Sequence, residues 1–187
     1  MQDQQPFIDK IIALVRADET RLRALQCVRE LNLLDAYIGA GFVRNLVWDH
    51  LHDKATPTPL NDVDVVYFDS AETDKQQALV YQQQLNRQMP ELNWQVKNQA
   101  LMHVRNHHAP YKNTLDALSY WIEKETAVAI RKLSDDKFQC IAAYGFDSLF
   151  ALQLTYNDKR PRHFFEKRIA TKNWLQIWPK LNVVDKS

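Results

Sequence analysis

Two aspartates separated by one valine, Asp62-Val63-Asp64, open an apolar run that continues Val65-Val66-Tyr67-Phe68. Residues two apart on a strand point to the same face, so the two carboxylates converge on one point. Paired hard oxygen ligands suit Mg²⁺, which keeps phosphate oxygens and waters in the rest of its shell. Upstream lies Ile38-Gly39-Ala40-Gly41-Phe42-Val43-Arg44-Asn45, which holds two of the chain's three glycines. A tight turn that opens a helix aims backbone N–H groups at an anion. Either glycine alone serves equally well as a plain turn residue, and an isolated Asp-x-Asp often does no more than cap a strand. The order turn, helix, polar loop, acidic strand is what points to a nucleoside triphosphate and its metal. Arg44, one helical turn on, is placed either to contact phosphate or base or to pair with a carboxylate at the edge of the core.

Other chemistries are excluded by what the motif lacks. The third glycine of a dinucleotide fingerprint would fall at Arg44, and no Gly-Lys-[Ser/Thr] of a P-loop follows. No Gly-x-Ser-x-Gly nucleophile is present, and the six histidines show no metal-ligand spacing.

The glycine turn and Asp62-Val63-Asp64 resemble the nucleotidyltransferase superfamily built on the DNA polymerase β catalytic fold. That family's signature is a hydrophobic-Gly-[Gly/Ser] turn, an acid-hydrophobic-acid strand, and a third acid on a later strand. Gly41-Phe42-Val43-Arg44-Asn45 also looks like the Gly-x-Val-Arg-Asp segment of the tRNA CCA-adding branch. Trp94-Gln95-Val96-Lys97-Asn98-Gln99-Ala100-Leu101-Met102-His103, with Pro110-Tyr111, is similar to a small bacterial branch of single-domain nucleotidyltransferase-like proteins. The resemblance spans residues 35–180. It implies an α+β fold, a mixed sheet flanked by helices, and a Mg²⁺ or Mn²⁺ cofactor held by Asp62 and Asp64. It also implies a phosphate site around Gly39, Ala40, Gly41 and Arg44, with Ala40 standing where the family commonly has glycine.

The third acid is the departure. Its place in the family corresponds to Gln95, which carries no charge and cannot act as a base, and no residue from 92 to 100 is acidic. The resemblance offers Glu125 as a substitute, against its reading as a solvated acid beside Glu123 and Lys124. Lys97, Asn98 and Tyr111 are expected, with Glu125, around an acceptor site.

The elements that must position these residues follow from periodicity. Residues 6–34 read as helix, with a break near Asp18-Glu19-Thr20 and with Arg16, Arg21, Arg23 and Arg29 on the solvated side. Residues 36–40 read as a strand, 42–51 as helix, 52–61 as a proline-bearing loop and 62–68 as a strand buried on both faces. A glutamine-rich surface helix is expected over 75–89 and a strand over 93–99. Beyond these come a helix over 114–121 and a hairpin of strands 126–133 and 138–144. Residues 146–156 are ambiguous between strand and helix, and one helix is expected over 163–178, stopped by Pro179. No repeat or linker interrupts the pattern, so residues 1–187 are expected as one domain, with a helical segment 1–34 and a catalytic-type core 35–180.

Hydrophobic content of 45% and 24 basic against 23 acidic side chains describe an ordinary globular chain with no global field to recruit a polyanion. Cys27 and Cys140 are too few for a disulfide framework, and reduced thiols fit a cytoplasmic location. The start lacks a signal-peptide pattern and no apolar run is long enough for a membrane span. The sequence thus predicts a Mg²⁺-dependent nucleotidyltransferase moving a nucleoside monophosphate from an NTP to a hydroxyl of a small molecule or protein rather than RNA. Its rival is a nucleotide- or partner-binding protein that kept the fold and lost the chemistry with the third acid. An interaction protein working through the glutamine-rich helix is a third reading.

Overall fold

The computed structural model describes residues 3–184, so residues 1–2 and 185–187 of the expected domain lie outside the described residues. Two N-terminal helices in contact, α1 (Gln5–Arg16) and α2 (Glu19–Glu30), lead into β1 (Tyr37–Gly39). The Asp18 side chain accepts from the Arg21 N–H at 2.9 Å and so caps α2, which explains the break read from the sequence. Then follow α3 (Gly41–Leu51), β2 (Val63–Tyr67), α4 (Gln76–Gln88) and β3 (Trp94–Asn98). The second half holds α5 (Met102–Asn106), α6 (Thr114–Leu118), β4 (Val128–Ser134) and β5 (Lys137–Ala142). It ends with α7 (Asp147–Phe150), β6 (Gln153–Thr155), α8 (Arg162–Thr171), α9 (Trp174–Ile177) and β7 (Asn182–Val184).

Five strands form one mixed sheet in the order β3-β2-β1-β4-β5. The β2–β3 pair is parallel, as a crossover through α4 requires, and the other neighbours are antiparallel. β6 and β7 form a separate parallel pair. One face of the main sheet, carrying Ile38, Val63, Val65, Trp94, Val96, Val128 and Ile130, packs under the helices. There it meets Ile11 and Val15 of α1, Leu25 and Val28 of α2, Val43, Val47 and Trp48 of α3, and Leu85 of α4. Among the described residues, the opposite face carries a smaller apolar cluster of Tyr37, Val66, Leu118, Ala127 and Ala129, with Trp121, Ile141 and Tyr144 packed against it. The remainder of that face is free for polar groups.

Two expectations are corrected and one ambiguity is resolved. The C-terminal helix is two helices, because Asn173 adopts a left-handed conformation (φ 53°) between α8 and α9. That turn swings Trp174 and Trp178 inward, with ring centroids 6.3 and 5.1 Å from Trp48. The ambiguous stretch is both elements in succession: α7 ends, Leu152 turns left-handed (φ 54°), and β6 begins. Arg21 is not solvated. It is buried, donates from Nε to the Phe42 carbonyl at 2.9 Å, and pairs with Asp18, so it ties α2 to the first turn of α3.

Candidate active site

The turn between β1 and α3 departs from ordinary backbone geometry. Ala40 sits at φ 53°, ψ −126°, a region that L-residues other than glycine enter only under strain. Its N–H donates to the Val128 carbonyl at 3.1 Å, and its carbonyl accepts from the N–H groups of Val43 and Arg44 at 3.2 and 2.9 Å. The strained residue thereby starts the helix, and the N–H groups of Gly41 and Phe42 make no hydrogen bond among the described residues. Both stand at the positive end of α3, where Gly41 lines the cleft and Phe42 is fully buried. The two glycines do different work. A Cβ on Gly41 would come within 3.3 Å of the Asn45 side chain, whereas one on Gly39 would meet the Trp121 ring and the Val128 carbonyl, each at 3.2 Å.

Asp64 on β2 and Asp62, exposed just before that strand, line the same cleft as this turn, and Asp64 is mostly buried. Lys97 on β3 pairs in register with Val66, and its Nζ reaches 3.6 Å from Asp64 Oδ1. Burial pushes the Asp64 carboxyl above its usual range, Lys97 pulls it back, and the neighbouring Asp62 charge raises it further. Gln95 pairs in register directly opposite Asp64.

Arg44 is buried behind the pair. Its Nη1 donates to Thr126 Oγ1 at 2.7 Å and its Nη2 to Asn45 Oδ1 at 3.0 Å. Its guanidinium lies over the rings of Trp48 and Trp174, 5.2 and 4.7 Å from their centroids. Burial lowers its pKa to about 10 against the opposing pull of Glu123, so it stays cationic at neutral pH. Neither sequence alternative is met by a direct contact: Arg44 lines the cleft, but its hydrogen-bond partners are a threonine hydroxyl and an asparagine amide rather than a carboxylate.

These groups line one cleft of about 310 Å³. Ala40, Gly41, Arg44, Asp62, Asp64, Lys97 and Tyr111, all anticipated from the sequence, meet there. Gly39, Gln95, Asn98 and Glu125 are not among the lining residues. Asn98 is occupied with the loop after β2, accepting from the Asp69 N–H at 3.2 Å and donating to the Asp69 carbonyl at 2.8 Å. Glu125 is neither solvated nor in the cleft. It is buried, and its Oε2 accepts from the Thr155 N–H at 2.7 Å, anchoring β6.

Sequence reasoning missed the far wall. Glu123 is fully buried, pairs with Arg168 Nε, and keeps Oε2 unpartnered at the cleft. Arg160, Arg168 and Lys172 add three cations to Arg44 and Lys97. Arg168 and Lys172 stand four apart at the end of α8, a spacing that places both on one face. That is the signal from which they were readable. Arg168 also lies over Trp174, 5.1 Å from its centroid, so Arg44 and Arg168 share that indole.

Asp49, on α3, holds the outer rim. Its carboxylate accepts from Thr58 N–H (2.7 Å), Thr58 Oγ1 (2.6 Å) and Trp178 Nε1 (2.8 Å). One buried side chain thus fixes both the loop that leads to Asp62 and the aromatic wall contributed by the C-terminus.

A family model described as nucleotidyltransferase matches residues 26–183, which takes in every wall of the cleft. The chain belongs to the nucleotidyltransferase family. A solved structure described as "The NMR structure of the protein reveals a CCA-adding enzyme head domain" is 28% identical with a TM-score of 0.81. The match covers 95% of this nucleotidyltransferase chain and 96% of that one. It confirms the α+β architecture of a mixed sheet flanked by helices. A chain from a structure described as "Structure of tRNA-processing enzyme complex 3" is 20% identical over 79% of this chain and 38% of that one, with a TM-score of 0.45. No curated protein matches the chain.

Among the described residues, no group of three or more His, Cys, Asp or Glu side chains is disposed to hold a metal ion. The Asp62–Asp64 pair nonetheless fits Mg²⁺ or Mn²⁺, whose remaining ligands can be phosphate oxygens and water. No helix among them is long and apolar enough to cross a membrane.

Proposed function

We propose that this nucleotidyltransferase transfers a nucleoside monophosphate from an NTP to an acceptor hydroxyl, with Mg²⁺ or Mn²⁺ held by Asp62 and Asp64. The observation that carries the reading is a single cleft facing three ways at once. It presents the Asp62 and Asp64 carboxylates, the Gly41 N–H at the start of α3, and five cationic side chains, one of them paired with Glu123. A triphosphate needs all three.

Bound to the pair, a divalent ion would neutralise phosphate charge and stabilise what develops in the transition state. The Gly41 N–H and the α3 dipole hold phosphate oxygens. Arg44, fixed by Thr126, Asn45 and two indoles, supplies positive charge without having to reorganise. Arg160, Arg168 and Lys172 face the same space from the C-terminal side and attract the leaving pyrophosphate. In the reaction the bond from acceptor oxygen to α-phosphorus forms as the bridging α–β P–O bond breaks. Pyrophosphate departs with that electron pair, and the acceptor's proton passes to solvent. Tyr111 and Glu123 line the same cleft and are the side chains we assign to the acceptor end, although both are buried.

The near balance of basic and acidic side chains favours a small-molecule or protein acceptor over a long polyanion. Reduced Cys27 and Cys140, both free thiols, fit a cytoplasmic setting. Calorimetric titration with each of the four NTPs, with and without Mg²⁺ or Mn²⁺, tests the reading. Metal-dependent binding that disappears in Asp62→Ala/Asp64→Ala is the expected result. A folded wild type that binds no NTP would refute it.

A further inference from the structure

The carboxylate at the heart of the cleft already has a cation beside it. Lys97 Nζ lies 3.6 Å from Asp64 Oδ1, and the lysine side chain remains 42% exposed, free to shift along its stem. In the parallel β2–β3 ladder, Asp64 pairs with Gln95 and Val66 with Lys97. Paired residues and residues two apart share a face, so Asp64, Gln95 and Lys97 crowd one side of the sheet. A carboxylate at position 95, beside Asp64 though outside the cleft lining, would add negative charge and so favour a second divalent ion. This chain has a neutral amide there and a positive ammonium two residues on. Among the described residues no third acidic, histidine or cysteine side chain joins the pair. Glu123, the other carboxylate of the cleft, is committed to Arg168 through one oxygen.

Two carboxylates face the Lys97 ammonium, with the buried Arg44 guanidinium behind them, so the pair has little negative charge to spare. That suits the single divalent ion that arrives with a triphosphate; a second ion would be repelled by Lys97 at short range. Resting on the nucleotidyltransferase reading of this cleft, we infer that the site takes one divalent cation per bound nucleotide, and that Lys97 fills the place of a second. Lys97 stands on Asp64 in the absence of nucleotide and turns its ammonium toward the phosphates when the ion takes Asp64. It is a positioned charge whose effect reads out as cation stoichiometry.

Mn²⁺ binding to the full chain, followed by electron paramagnetic resonance with a saturating α,β-imido NTP analogue, separates the possibilities. The wild type should bind one Mn²⁺ per chain in that complex, and Lys97→Arg should do the same. Gln95→Glu/Lys97→Ala should bind two. Without nucleotide, Lys97→Ala should bind Mn²⁺ several-fold more tightly than wild type, since Asp64 then loses its competing cation. Two ions per wild-type complex overturn the inference and leave the nucleotidyltransferase reading standing. So does a double variant that stays at one ion together with unchanged affinity in Lys97→Ala. No nucleotide-dependent Mn²⁺ in a folded wild type would overturn both.

Discussion

The two faces of the five-stranded sheet divide the labour of this protein. Trp94 and Gln95 are neighbours on β3, yet Trp94 is buried under α4, with its Nε1 donating to the Met89 carbonyl at 3.1 Å, while Gln95 stands on the face of Asp64. One face is closed by four helices and reads as a continuous apolar cluster. The other is covered only in part and collects Asp64, Lys97 and the cations of the cleft. The strand's period of two lets adjacent residues serve stability and chemistry separately. Such an arrangement tolerates costly charge on the cleft face because the packed face holds the sheet together.

The largest effect that should sharpen this division is on the packed face. Trp94→Ala is expected to cost about 3–5 kcal/mol of stability by urea denaturation, from lost burial and the cavity left behind. NTP affinity measured well below the unfolding transition should change little. Next comes Asp64→Asn on the other face. If Asp64 holds the metal as proposed, its loss should exceed the roughly 10–100-fold seen when residues behind metal ligands are removed. Mn²⁺–NTP affinity measured by calorimetry should therefore fall by more than about 100-fold. The urea midpoint should not fall, because burial already disfavours the Asp64 charge. A drop in stability larger than the drop in affinity would break the comparison.

Asp49 joins the two regions and should show both effects at moderate size. Asp49→Ala strands the Thr58 and Trp178 donors, and an unsatisfied buried group costs about 1–3 kcal/mol. Limited proteolysis should then cut within residues 52–61, and NTP affinity should weaken with it, since that loop delivers Asp62. The smallest effect is a gain. Ala40→Gly removes the strain of φ 53°, ψ −126°, a kind of conformation that costs about 1–3 kcal/mol. The melting temperature should rise, with the nucleotide site intact; a fall would show that the turn owes its shape to something other than Ala40.

Much of the site was readable because its signals are local. Asp62-Val63-Asp64 ahead of an apolar run specifies strand and face together, and the glycine turn specifies a helix start. The opposite wall was not, because its meaning is made at a distance. Glu123-Lys124-Glu125 has the composition of a solvated surface, and only Arg168, brought over by α8, makes Glu123 part of the cleft. Arg21 looked like one of several helix-surface arginines, but the Phe42 carbonyl that it binds lies in another element. The C-terminal apolar periodicity runs smoothly through residues 163–178, and a single left-handed asparagine, which periodicity cannot register, divides it. Leu152 ends α7 in the same way.

That break at Asn173 carries an optical consequence. Trp174, turned inward by it, has its indole flanked by the guanidinium groups of Arg44 and Arg168 at 4.7 and 5.1 Å, on the wall that a polyanion would approach. Tryptophan emission responds to the local electric field, and negative charge drawn in between two such cations reverses much of the field across this ring. The protein therefore contains its own unlabelled reporter: a change in fluorescence on adding nucleotide, lost in Trp174→Phe, would follow occupancy of the cleft in real time.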